Sequence, residues 1–212
     1  TVIGERPLVF LFVWGEDLEK IWGSWQKMRA LLDDFRERVR GVSMKNPYVV
    51  AMVATAEEGK RSVEELGVDA VTSYVGSIPG GYDNTESYTR FSYNSLSQAD
   101  RILWDSFRSA GLKVLPIVST GWDPRPHRDD IWGYGGYKTG PVVESATPNQ
   151  IASHVKESIE WMKAHPETAE IQTLIVYAWN ELSEGGWLVP TKQEGDARLR
   201  AIDAVLQEML KN

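Results

Sequence analysis

The chain has no cysteine among its 212 residues. That absence excludes disulfide scaffolds, cysteine-ligated zinc, iron–sulfur clusters and thiol nucleophiles. Histidine is scarce as well: only His127, His154 and His165 occur, and no two have metal-ligand spacing of the H-E-x-x-H kind. Neither a metal nor a cofactor is expected. Gly80-Gly81 follows a strand-like run, but there is no G-x-G-x-x-G or Walker A pattern to support a nucleotide site. Positive charge is in deficit, with 23 basic against 30 acidic residues and a net charge of −7, which disfavours nucleic acid or an anionic membrane as partner. No apolar run approaches the roughly 20 residues of a membrane span. The opening residues do not read as a signal peptide, and the compartment is not legible. What the chain has in quantity is aromatic side chains. Nine Trp and eight Tyr exceed what a core of this size uses, and such a surplus points to a binding cleft.

At roughly 150 residues per domain, the length favours one domain over two. Along it, strand and helix alternate. Residues 7–14 (PLVFLFVW) form a continuous apolar run, as expected of a strand buried on both faces. Further strands are expected at 48–54, 68–75, 112–119 and 172–179, and helices at about 24–40, 56–66, 93–110, from Thr147-Pro148 onward, and 196–210. Two Gly-, Pro- and aromatic-rich stretches, 76–90 and 120–146, read as long loops. Five βα units in a row require a parallel sheet covered by helices. Two architectures satisfy that: a complete doubly wound sheet, or the last five units of a (β/α)8 TIM-type barrel. In both, ligands bind at the C-terminal ends of the strands, so the βα loops hold the informative residues.

The sharpest constellation follows the fifth strand: Trp179-Asn180-Glu181-Leu182-Ser183-Glu184-Gly185-Gly186-Trp187. Two carboxylates held by one turn can be pushed to different acidities, which acid/base work on a glycosidic bond requires. Trp179 and Trp187 can stack on sugar faces, and Asn180 joins them as a substrate contact. The plainer alternative is that Glu181 caps or ion-pairs at the mouth of the sheet while Glu184 is solvated. After the fourth strand, Asp123 and Arg125 have the spacing for a bidentate pair that holds a substrate hydroxyl, or only organises the loop. Trp122 beside them, Tyr74 at the end of the third strand and Trp14 at the end of the first complete the candidate substrate-binding set. The Asp33-Asp34 pair reads as a solvated helix face.

The segment YAWNELSEGGWLVPTKQEGDARLRAID (177–203) resembles the C-terminal signature of the family 99-like glycoside hydrolases, a group that includes the WbsX-type proteins. GWDPRPH (121–127) is similar to that group's G-W-D-N-x-x-R segment, and GERPLVFLF (4–12) to the strand that opens the second part of such barrels. The chain departs from the pattern at Leu182-Ser183, where family 99 proper has Trp and His, and at Val189-Pro190 in place of Glu-Pro.

The resemblance implies a (β/α)8 barrel acting on glycans, with residues 1–212 as a single catalytic-type domain forming its C-terminal part. It also implies retaining, α-mannosidase-like endo-hydrolysis without a cofactor. Residue by residue, Glu184 would be the general acid/base, and Glu181 the base that assists attack by the substrate's own 2-hydroxyl. A non-catalytic glycan-binding barrel is the alternative from another class. Because five barrel strands leave open sheet edges, the expected partners besides a carbohydrate are the missing N-terminal barrel segment or a second copy of the chain. Export to the periplasm or beyond is compatible with such a role.

Overall fold

The computed structural model describes residues 2–13, 20–42, 44–78, 87–129 and 138–211. Trp14, Gly80, Gly81 and the loop aromatics Trp132, Tyr134 and Tyr137 lie outside the described residues. In chain order the elements are β1 (Val2–Ile3), β2 (Arg6–Phe12), α1 (Trp25–Gly41), β3 (Tyr48–Met52), α2 (Ala56–Leu66), β4 (Ala70–Thr72), β5 (Tyr88–Phe91) and α3 (Tyr93–Ser109). They continue as β6 (Ile117–Ser119), β7 (Gly140–Val143), α4 (Pro148–Ala164), β8 (Ile175–Tyr177), β9 (Asn180–Glu181), β10 (Gly186–Trp187) and α5 (Ala197–Leu210), with 3-10 turns at Arg125–His127 and Leu182–Glu184.

The residues separate into two compact units interleaved in sequence. The first holds Thr1–Tyr74, Leu103–Leu115 and His165–Thr173; the second holds the remainder, so α3 begins in one and ends in the other. In the first unit, β2, β3 and β4 are parallel neighbours, with Phe10 opposite Val50 and Val50 opposite Ala70. Val71 continues this order by a parallel bridge to Val114. In the second unit β6 pairs in parallel with β8, Val118 opposite Val176. Every one of these ladders joins a strand to the next strand of the βα succession. Within each unit this sequential pairing shows no reversal of order of the kind a doubly wound sheet contains. Among the described residues no closed barrel forms; the ladders are separate sheets in a mixed α/β chain.

Local signals explain where the helices begin and end. Ser24 accepts a hydrogen bond from the Lys27 amide, and Thr55 with Glu58 forms a reciprocal capping box at the start of α2. Gly67 closes α2 in left-handed backbone at φ 61°. At α4 the Gln150 side chain accepts from the Thr147 amide while Thr147 Oγ1 accepts from the Gln150 amide. Helix α1 buries Trp25, Met28, Leu32 and Arg36, a stripe at helical spacing. The Arg36 guanidinium donates to the Gly67 carbonyl at 2.6 Å, covering an orphan acceptor at the end of α2. Asp33 and Asp34, expected to be merely solvated, ion-pair along the helix with Arg29, Arg36 and Arg38.

The two stretches read as long loops carry a parallel ladder of their own, β5 with β7, with Arg90 opposite Val142. The signal was too weak to read, because β7 opens Gly-Pro, a pair that marks turns, and both strands span only four residues.

In the second unit a buried polar cluster fixes the end of β6. Asp100 is fully buried, and its carboxylate accepts from the amides of Ser119 at 2.8 Å and Ser77 at 3.1 Å. Tyr93 donates to the Ser119 carbonyl at 2.8 Å and lies 3.2 Å from His154 Nδ1, while His154 Nε2 lies 3.7 Å from Asp100. Burial pushes Asp100 up to about 8, only partly offset by its amide donors, and pushes His154 down to about 4. Both groups are thus held uncharged near neutrality. Asp100 contributes stability that is present at low pH and lost as pH rises through about 8. His154 contributes stability that is present above its ordinary 6.5 and lost as pH falls through about 4. The two trends oppose each other between about 4 and 6.5, and only Asp100 acts between 6.5 and 8. The unfolding free energy is therefore expected to fall over that upper window by up to about 1.4 kcal/mol per pH unit, and the melting temperature with it. Thermal melts at half-unit pH steps check it; Asp100→Asn should flatten the slope while lowering stability throughout.

Candidate active site

The end of β8 and the turn after it are built as one piece. β9 and β10 form an antiparallel hairpin that pairs Glu181 with Gly186 and Asn180 with Trp187, and the Leu182–Glu184 turn lies between them. The sequence carried the turn's Gly-Gly signal but not the hairpin, whose strands are two residues each. Glu181 therefore sits on the hairpin's first strand and Glu184 at the end of its turn, both half-buried.

One segment clamps this turn at two points. The Thr120 amide donates to the Tyr177 carbonyl at 2.6 Å, and the Ala178 amide donates to Thr120 Oγ1 at 3.2 Å. The Asp123 amide donates to the Glu184 carbonyl at 2.6 Å. The segment after β6 thus holds both the entry to the hairpin and the residue at its tip. Gly185 makes this approach possible: its φ is 79°, and a Cβ there would lie 2.5 Å from the Asp123 nitrogen. Gly185→Ala is accordingly expected to cost about 1–3 kcal/mol from the unfavourable backbone region, with a further loss as the clamp opens. Urea unfolding followed by tryptophan fluorescence measures it.

Asp123 and Arg125 form the bidentate pair that their spacing suggested, with Nε to Oδ1 at 2.8 Å and Nη2 to Oδ2 at 2.6 Å. Hydrogen bonding from Arg125 holds the Asp123 carboxyl below the usual carboxylate range. The side-chain fork points both partners at each other while the Asp123 backbone is tied to Glu184.

The remaining candidates fall in different places. Trp179 is 54% exposed and Asn180 is exposed beside it, so both face solvent next to the glutamates. Trp187 is half-buried, with the Arg198 guanidinium 3.9 Å from its ring centroid, so one of its faces is covered from within the chain. Trp122, expected among the substrate contacts, is only 2% exposed and packs 6.4 Å from the Tyr177 ring. Tyr74 belongs to the first unit, edge-on to Phe12 at 5.3 Å. Two residues escaped the sequence reading. Asp100 had no local signal; Tyr177 did, as a polar aromatic at the last position of a buried strand. Its hydroxyl donates to Glu184 Oε2 at 2.5 Å. Among the described residues no cluster of three or more acidic or histidine side chains could hold a metal ion. No described helix is long and apolar enough to cross a membrane.

A family model described as Glycosyltransferase WbsX matches residues 21–202. The chain belongs to the WbsX family. No curated protein matches it. Among solved structures, this WbsX-family chain is similar to the GH99 endo-α-mannosidase from Bacteroides thetaiotaomicron, at 14% identity and a TM-score of 0.53. The match covers 97% of this chain and 55% of the mannosidase, so the chain spans about half of that enzyme's length. A second structure of a GH99 endo-α-mannosidase, in complex with bis-tris-propane, matches at 12% identity and a TM-score of 0.44, over 78% of this chain and 47% of that one. The first likeness carries the fold: a mixed α/β chain that fits part of an α/β barrel. Of the resemblance read from the sequence, the WbsX part is thereby shown as a family and the likeness to family 99 as a fold.

Proposed function

We propose that this WbsX-family protein is a retaining glycoside hydrolase acting on oligo- or polysaccharide, with Glu181 and Glu184 as its catalytic pair. One observation carries the reading. Two carboxylates three residues apart stand on a single rigid hairpin just beyond the C-terminal end of a parallel strand, where α/β-barrel folds do their chemistry. Exposed Trp179 and Asn180 at the same hairpin supply a stacking face and an amide for sugar hydroxyls. The α-mannoside class is the substrate suggested by the similar solved structure's own activity.

In this mechanism Glu184 protonates the glycosidic oxygen as the bond to the anomeric carbon breaks. Glu181 takes the proton of the substrate's 2-hydroxyl, whose oxygen attacks the anomeric carbon from the opposite face. Water then opens the resulting anhydro sugar, giving one proton to Glu184 while Glu181 returns its own to the 2-oxygen. Two inversions leave the configuration retained. Asp123 and Arg125 act through the loop, keeping the Glu184 backbone where the acid is needed.

The family's description favours a second reading, in which a sugar hydroxyl takes the place of that water. One experiment separates the two. The full-length protein is incubated with α- and β-linked oligosaccharides, with and without excess acceptor sugar, and the products are read by mass spectrometry. Shortened products in either condition support hydrolysis, and lengthened products only with acceptor support transfer. No product, with tryptophan fluorescence still quenched by sugar, would favour a non-catalytic binding barrel.

A further inference from the structure

We infer that Tyr177 is a positioning residue for Glu184, selecting which carboxyl oxygen carries the catalytic proton and stabilising the carboxylate left once that proton has gone. The inference rests on the glycosidase reading above. The Tyr177 hydroxyl lies 2.5 Å from Glu184 Oε2, inside the range of charge-assisted O–H···O bonds. A phenol has one hydrogen to give, and here it is given to Oε2. Oε2 is thereby occupied as an acceptor, so the acid's own hydrogen belongs on Oε1, the oxygen left to meet the substrate. When Oε1 delivers its proton to the glycosidic oxygen, charge develops on a carboxylate that already has a donor aimed at it. That is preorganised electrostatic stabilisation, with no reorganisation at the moment of reaction.

The arrangement is too rigid for the contact to be incidental. Tyr177 is 2% exposed, its ring lies against Trp122, and its carbonyl is held by the Thr120 amide at 2.6 Å. On its other side a Cβ at Gly186 would lie 2.5 Å from the ring's Cε1, so glycine is what lets the tyrosine pass. Glu184 is fixed independently through its carbonyl by Asp123. Donor and acceptor thus come from the end of β8 and from the tip of the hairpin that follows it, each pinned by the segment after β6.

The test compares two probes in the full-length protein: α-linked mannan oligosaccharide, whose leaving group is a sugar hydroxyl that must be protonated, and α-mannobiosyl fluoride, whose leaving group departs as an anion. Tyr177→Phe keeps the ring and its packing and removes only the hydroxyl. The expected result is a drop in kcat of about ten- to hundredfold on the oligosaccharide, the rate equivalent of one hydrogen bond to a charged group. On the fluoride the loss should be slight, and KM should change little on either probe. A purely structural role would lower both rates together. Equal losses, or none, in an otherwise active enzyme would overturn the inference and leave the glycosidase reading standing. A folded wild-type protein inert on both probes would overturn the mannosidase reading and this inference with it. Should Tyr177→Phe melt early, 3-fluorotyrosine at position 177 alters the acidity of the hydroxyl without removing it. A rate change confined to the oligosaccharide then supports the inference, and an unchanged ratio between the two probes contradicts it.

Discussion

Replacing Glu184 with glutamine is expected to lower kcat on a natural glycan by about two to four orders of magnitude, the usual worth of a general acid. Binding of the same glycan should be nearly unchanged. Glutamine matches glutamate in shape and retains a carbonyl oxygen, so it can still accept the Tyr177 hydroxyl where Oε2 now does. The backbone tie from Asp123 to residue 184 does not involve the side chain and persists. What is lost is the transferable proton. Steady-state kinetics with sugar titration by tryptophan fluorescence measures both quantities on one sample. A loss in affinity as large as the loss in kcat would mean that Glu184 acts as a binding group. Glu181→Gln should also stop turnover, because the 2-hydroxyl then has no base.

The largest effect on stability is expected at Arg198. This guanidinium is only 2% exposed and joins three segments of the second unit. Nε donates to Glu194 Oε2 at 2.7 Å, Nη1 to the Trp187 carbonyl at 3.0 Å and Nη2 to the Ala146 carbonyl at 3.1 Å. Its plane also lies 3.9 Å from the Trp187 ring centroid, stacking on the end of the glutamate-bearing hairpin. Arg198→Ala leaves the Glu194 carboxylate and two carbonyls without their donor and empties the space over the tryptophan. Glu194 keeps a quarter of its side chain in solvent, so the cost comes mainly from the acceptors left unsatisfied in the interior, about 1–3 kcal/mol each. Lysine at 198 should recover only part of this, since a point charge cannot serve three directions at once. Urea unfolding of the two variants checks the order, and hydrolysis should fall in Arg198→Ala beyond what unfolding explains, as β10 loses its anchor.

Much of this architecture is legible from residue order because it rests on local chemistry. The five apolar runs that read as strands, the Thr147-Pro148 start of α4 and the Gly67 stop of α2 all act within a few residues of themselves. The bidentate Asp123–Arg125 pair was readable for the same reason, two residues apart on one turn. What escaped depends on partners distant in sequence. β5 and β7 stabilise each other across some fifty residues of chain, and neither carries enough alternation to announce itself alone. Asp100 is an ordinary polar residue on a helix until Ser119 and Ser77 bring their amides to it. Trp122 reads as a sugar platform by composition, but its burial against Tyr177 is a tertiary fact. In the same way the sequence exposed the two glutamates, while the hydroxyl that meets one of them shows only once β8 and the turn are folded together.

Retaining hydrolysis through Glu181 and Glu184 is decided by the configuration of the first sugar released. Proton NMR during hydrolysis by the full-length protein reads the anomeric signal before mutarotation scrambles it. The first-formed hemiacetal is expected to keep the configuration of the bond that was cut. Inversion, or release that persists undiminished in Glu184→Gln, would contradict it.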